Sequence, residues 1–243
     1  MGLASLTPQP TIRSWDDPTL LRLVYYEGLY SILHTKYFPL TLDRAVEFAA
    51  LQLQVNEGDY AKKRHKKDLL AGRVKDLFAR SFARVASRLE LAEMVVPRYK
   101  KLKGKTTVEA QMAFMDLIYE EPLFGSSIYE TTCKEAPPGA PFAVDSYIVM
   151  AFGADYLRLC RLRTMEVVHV IPYEDIILHT YVETSFTLSF ATETGVELTY
   201  VVYTKKGTII TDHVERGFDL NYCNLDPSSN VTHPSQTAGS LML

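Results

Sequence analysis

The sequence predicts an α+β fold in two successive parts: a helical bundle up to about Pro122, then a seven-stranded β-sandwich with a C-terminal helix. Three observations predict it. Apolar positions recur with a helical period before Pro122 and alternate with a period of two after it. Helix-start chemistry is strongest in the first part, at Thr41 and Thr106. After Pro122 the connections become short and rich in Pro, Gly and Asp, as strand turns are. A chain of 243 residues is long enough for two modest cores.

A first amphipathic helix is expected after Pro18, with Leu20, Leu23, Val24, Leu29, Ile32 and Leu33 as its apolar positions. Thr41 is a plausible N-cap for a second, which carries Ala45, Phe48, Ala49, Leu51 and Gln52 toward a stop at Gly58. Leu77, Phe78, Phe82, Val85 and Leu89 continue the helical theme. Thr106 with Glu109 forms a capping box, after which Ala110, Ala113, Phe114, Leu117 and Ile118 fall on one face.

The second part reads as seven strands rich in β-branched and aromatic residues: FGSSIYETT, SYIVMAFG, YLRLCRLRT, VVHVIPYEDI, ILHTYV, SFTLSFAT and ELTYVVYT. Pro137-Pro138-Gly139, Gly153-Ala154-Asp155 and Glu193-Thr194-Gly195 supply turns. A helix is expected from Thr208 to about Tyr222, which completes a pleckstrin-homology-like outline. The domain reading is therefore an extension over 1–17, a helical lobe over 18–122, a sandwich lobe over 123–224 and a polar, disordered tail over 225–243.

Composition narrows function. The net charge is only −3, but residues 61–105 hold fifteen Lys/Arg against four Asp/Glu, and the rest of the chain holds eleven against twenty-five. Such polarity steers a protein toward anionic surfaces or toward its own acidic parts. No apolar run reaches the length of a membrane span, and the N-terminus lacks a secretory signal. Cys133, Cys160 and Cys223 read as reduced thiols of a cytoplasmic protein. The six histidines show no metal-ligand spacing, and no nucleophile elbow, phosphate loop or paired carboxylates are present. Neither an enzyme nor a cofactor is expected, and the basic stretch lacks the interleaved aromatics of a nucleic-acid binder.

Specific segments carry a family likeness. AVEFAALQLQVNEGDYAKKRH places Gly58, Asp59 and Tyr60 after an Ala/Leu-rich helix, with His65 five residues beyond the Tyr. With PLFGSSIYE and VIPYEDI further on, the order over residues 18–224 resembles the middle and third lobes of the FERM domain. LVYYEGLYSIL and PLFGSSIY look closest to FERM domains of unconventional myosin tails, and next to talin-like ones. The resemblance implies an acyl-CoA-binding-protein-like helical middle lobe and a pleckstrin-homology-like third lobe. It implies that Tyr60 packs inside the middle lobe. It also implies a cytoskeleton-associated or peripheral membrane module without chemistry of its own. FERM domains normally begin with a ubiquitin-like lobe, and only about 17 residues precede the first expected helix. That lobe is expected on another chain, in a longer gene product, or to have been lost.

Two sites are expected. Lys62, Lys63, Arg64, Lys66 and Lys67, with Lys100, Lys101 and Lys103, form a basic patch suited to anionic phospholipids, phosphoinositides included. The plain alternative is a solvated helix face. In the third lobe an extended tail peptide of a membrane protein or cargo adaptor would add as a strand beside the fifth strand. Ile177, His179 and Tyr181 would face it, with His213, Arg216 and Leu220 from the last helix. The alternative is that Ile177 and Tyr181 only line the core, and strand register decides between the two.

Overall fold

The computed structural model describes residues 17–34, 37–38 and 40–225, without the side chains of Ala83 and of residues 220–225. The expected N-terminal extension, apart from Asp17, and the expected tail beyond residue 225 lie outside the described residues. The chain divides into two compact units, Met1–Ser126 with Arg161–Val167, and Ser127–Cys160 with Val168–Leu243.

The first unit is helical. Asp17 accepts from the Thr19 N–H at 2.8 Å and Pro18 occupies the first turn, which starts α1 (Pro18–His34). Thr41 caps α2 (Leu42–Glu57) as expected, and Gly58 ends it with φ 70° and ψ −147°, a backbone region that essentially only glycine enters. Then come α3 (Lys67–Leu77), a 3₁₀ turn at Arg80–Arg84, α4 (Arg88–Lys101) and α5 (Thr107–Ile118). Ala45, Ala49 and Leu53 of α2 pack with Leu70 and Val74 of α3 and Leu91, Val95 and Tyr99 of α4. On its other side α2 gives Phe48 and Leu51 to a cluster with Leu21 and Tyr25 of α1 and Phe114 of α5.

Two expectations for this unit change. In α1 the buried positions are Leu21, Tyr25, Gly28 and Ile32, whereas Leu20 and Leu23 are exposed. Apolar residues encircle much of α1, so periodicity alone does not choose the face. Tyr25 chooses it by packing edge-on to Phe114, 4.8 Å between ring centroids. The segment from Leu77 to Leu89 is not one helix either. Phe78 ends α3, Phe82 is buried from the 3₁₀ turn, and Val85 and Leu89 are exposed. Ser87 opens α4 with a second capping box to Glu90.

The second unit is one antiparallel sheet folded around a single core. Its strands are β1 (Ser127–Glu135), β2 (Tyr147–Phe152), β3 (Tyr156–Arg161), β4 (Val167–Pro172), β5 (Ile176–Val182), β6 (Ser185–Ala191) and β7 (Glu197–Tyr203). The order is β4-β3-β2-β1-β7-β6-β5, so β4 and β5 are the edges. A 3₁₀ turn at Tyr173–Asp175 separates them, inside the stretch VVHVIPYEDI expected as the fourth strand. Inward residues of both ends, among them Ile148, Leu157, Phe186 and Tyr200, share the core with Ile210 and Val214 of α6 (Gly207–Leu225). Two glycines let α6 lie this close. A Cβ on Gly207 would stand 1.9 Å from the Tyr181 ring, and one on Gly217 2.4 Å from the Tyr173 ring.

Candidate functional site

The Gly58 turn brings the two basic clusters together. The Tyr99 hydroxyl of α4 donates to the Gly58 carbonyl at 2.6 Å. The Asp59 carboxylate accepts from the Gly104 N–H at 2.7 Å and from Gln54 at 3.0 Å. These bonds hold its pKa below the usual carboxylate range. The turn after α2 is thereby pinned to the α4–α5 connection, although more than forty residues separate them in sequence. Tyr60 packs edge-on to Tyr99, and the Lys100 ammonium lies 5.0 Å from the Tyr60 ring centroid.

His65 is the buried anchor of this turn. Its Nδ1 accepts from the Ala61 N–H at 2.8 Å, so Nε2 carries the proton and donates to the Glu57 carboxylate at 2.8 Å. Burial and the neighbouring Arg64 push its pKa down. Glu57 also pairs with Arg73.

Not every basic side chain is available. Lys67 pairs with Glu93, and the Arg64 guanidinium donates to the Glu57 carbonyl at 2.9 Å. Arg98 is held by Glu47 and Asp43. Lys62, Lys63, Lys66, Lys101 and Lys103 are exposed and make no salt bridge among the described residues. Together with Lys100 they form the free part of the expected patch.

The second surface is the β5 edge. Among the described strands β5 is bonded to β6 alone, so the amides and carbonyls on its outer side have no strand partner. A bulge at Ile177 resets the alternation. Ile177 is consequently exposed (57 %), and so are Leu178 and Val182. His179 and Tyr181 turn toward α6: the His179 ring lies 5.8 Å from Phe218, and Tyr181 covers Gly207.

The α6 residues named from sequence do not join them. His213 accepts or donates at the Tyr129 hydroxyl of β1 at 2.8 Å and stacks on Phe152 of β2, which is the other flank of the helix. Arg216, one turn on, is exposed on that same flank and lowers the His213 pKa further, after burial. The Leu220 side chain lies outside the described residues. The flank that meets β5 carries Phe218 and Glu215 instead. Glu215 raises the His179 pKa against the stronger lowering effect of burial. Helical spacing from Ile210, Val214 and Gly217 is the signal that would have found them, once the buried face is known.

Among the described residues no group of three or more His, Cys, Asp and Glu is placed to hold a metal ion. His169 packs in the core, its Nε2 3.0 Å from the Tyr200 hydroxyl. Cys133 and Cys160 are buried free thiols with pKa values raised by burial, that of Cys160 to about 11. No described helix is long and apolar enough to cross a membrane.

A helical lobe with the Gly-Asp-Tyr turn, followed by a seven-stranded sheet closed by one helix, has the architecture of two successive FERM lobes, the second of them pleckstrin-homology-like. Residues 10–129 match the family model described as the FERM central domain. Talin-B of Dictyostelium discoideum is 26 % identical over 175 residues, which is 72 % of this chain and 6 % of that protein. The fold superposes on the C-terminal MyTH4-FERM domain of human myosin 7b, solved with the harmonin-a PDZ3 domain. There the TM-score is 0.66 at 20 % identity, covering 90 % of this chain and 42 % of the other. It also superposes on the FERM domain of Drosophila Merlin, solved in complex with the Merlin C-terminal domain. That match has a TM-score of 0.65 at 15 % identity, over 86 % and 66 % of the two chains. The chain thus spans a small part of the talin and less than half of the myosin chain.

Proposed function

We propose that the protein is a non-enzymatic adaptor module that joins a cytoskeletal system, a myosin-type motor or the actin cortex, to membrane receptors or cargo. It does so by docking an extended tail peptide beside β5. The observation that carries this reading is the unpaired β5 edge, flanked by exposed Ile177, Leu178 and Val182 and backed by His179, Tyr181 and Phe218. Main-chain bonds to the edge supply affinity and alternate side chains supply specificity. The module works in the cytoplasm, at the inner membrane face or on the cytoskeleton.

An array of immobilised cytoplasmic-tail peptides, probed with the protein and with an Ile177→Lys/Val182→Lys variant, tests the proposal. Both residues are exposed, so the fold is retained while lysines block the edge. Peptides bound by the parent and lost in the variant are expected; identical binding by both proteins, or binding by neither, overturns it.

A second reading is favoured by the convergence of Lys62, Lys63 and Lys66 with Lys100, Lys101 and Lys103 around the pinned Gly58 turn. This patch attaches the helical lobe to anionic phospholipids, each lysine contributing about 1 kcal/mol near the leaflet. Co-sedimentation with phosphoinositide liposomes at low and high salt is the test. Binding that weakens with salt and vanishes in a Lys62/Lys63/Lys66→Gln variant supports it, and salt-independent binding or none contradicts it. A third reading makes the chain the structural C-terminal part of a larger myosin tail, completed by a chain or segment that supplies the first FERM lobe.

A further inference from the structure

We infer that the β5–α6 groove selects an extended segment carrying Lys or Arg and rejects one that is acidic or phosphorylated. The inference rests on the peptide-docking reading above and adds the chemistry of the partner.

The direction of α6 sets the charge of the groove. Gly207 lies on Tyr181 near the end of β5, whereas Gly217 lies on Tyr173, just before β5 begins. The helix therefore runs antiparallel to β5, and its C-terminal half stands beside the 3₁₀ turn Tyr173–Asp175. That turn contributes Asp175. From the helix come Glu215 and Asp219, exposed and one turn apart on the side of Phe218.

Cations are directed elsewhere. Neither β5 nor β6 contains a Lys or Arg. His213 and Arg216 occupy the other flank of α6, His213 bonded to Tyr129. Lys205 and Lys206 sit at the far, N-terminal end of the helix, with the Lys206 ammonium 5.5 Å from the Tyr129 ring centroid. Glu183, beyond the end of β5, is also acidic and exposed. The walls thus offer carboxylates at the Tyr173 end.

A second observation supports docking at this place. His179 Nδ1 is buried and has no hydrogen-bond partner among the described residues. An unsatisfied buried nitrogen of this kind is costly until a partner arrives, a donor where Nε2 carries the ring proton. A Lys or Arg side chain from a docked strand brings donors and the charge that Glu215 and Asp219 complement. A phosphate or glutamate side chain in the same place brings acceptors and like charge.

The test uses three synthetic twelve-residue peptides of alternating Val and Thr: one with two Lys, one with two Glu in the same places, one with phosphothreonine beside the Lys. Amide shifts of the full protein locate binding, and titration gives the affinities. The Lys peptide is expected to shift β5 and α6 amides and to bind about tenfold or more tighter than the other two. A Glu215→Lys/Asp219→Lys variant, altered only at exposed positions, is expected to reverse the order. Equal affinities, or an order unchanged in the variant, overturn the charge selection while leaving edge docking intact. Absence of β5 shifts with every peptide sinks the docking reading and this inference together.

Discussion

The Gly58–Lys67 turn and the β5 edge are both exposed segments next to an inward-facing histidine, yet they are held in opposite ways. In the turn the anchoring groups bond within the helical unit: Asp59 to Gly104 and Gln54, Tyr99 to Gly58, and both ring nitrogens of His65. What remains free is charge, on flexible lysines. At the β5 edge the reverse holds, since backbone groups and His179 Nδ1 are left without partners and the flexible side chains are few. The first region is built to present an electrostatic surface, which salt screens. The second is built to be completed by directional hydrogen bonds. A closed turn and an open edge thus suit two different kinds of ligand.

The sharpest way to break this comparison is to move α6 off the edge. Gly217→Ala gains about 1 kcal/mol in helix propensity. Its methyl carbon would nevertheless meet the Tyr173 ring at 2.4 Å, and overpacking of this sort costs about 1–3 kcal/mol. A lower urea midpoint together with lost peptide binding is expected, while liposome binding is unchanged. In the helical unit Gly58→Ala forces a side chain into the φ 70°, ψ −147° conformation, at a cost of about 1–3 kcal/mol. There the expected loss is of liposome binding, because the turn no longer aligns the lysines, with peptide binding retained.

Acid separates the units by pH window. His169, His179 and His213 of the sheet unit all have pKa values lowered by burial, against His65 alone in the helical unit. A folded pKa below the unfolded value means that the unfolded state binds more protons, so this stability is present at high pH and is lost as pH falls below about 6.5. The helical unit instead has Asp59, Glu90 and Glu109 lowered by hydrogen bonds, and their contribution disappears only as pH falls through the carboxylate range. Hydrogen exchange at pH 7.5, 5.5 and 4.0 is therefore expected to show the sheet amides loosening first. The smallest effect is that of Ser87→Ala, which removes one capping box for about 1 kcal/mol and leaves both binding activities intact.

Much of this was legible in the sequence where the cause is local. The seven strands, Thr41, the Thr106–Glu109 box and the Gly58 stop follow from periodicity and cap chemistry, and each lies where those rules place it. The Ser87–Glu90 box obeys the same rule and was readable, but Val85 and Leu89 were read only as a continuation of the helical pattern. Choices between faces were not legible. The α1 face depends on Tyr25 meeting Phe114, a partner some ninety residues away. Likewise the flank of α6 that meets β5 depends on which way the helix crosses the sheet, set by Tyr173 and Tyr181 seated on two glycines. His213 and Arg216 were reasonable from composition, but Phe218 and Glu215 hold the position. The bulge at Ile177 likewise has no sequence marker, and it alone decides that Ile177 points to solvent.

The most direct measurement is hydrogen exchange of the β5 amides, Ile177 to Val182, in the full protein with and without the Lys-bearing twelve-residue peptide. Strand addition predicts slowed exchange at alternate β5 amides with no change in the Gly58–Lys67 turn. Exchange in β5 that is unchanged under saturating peptide, or protection that appears in the turn instead, would contradict it.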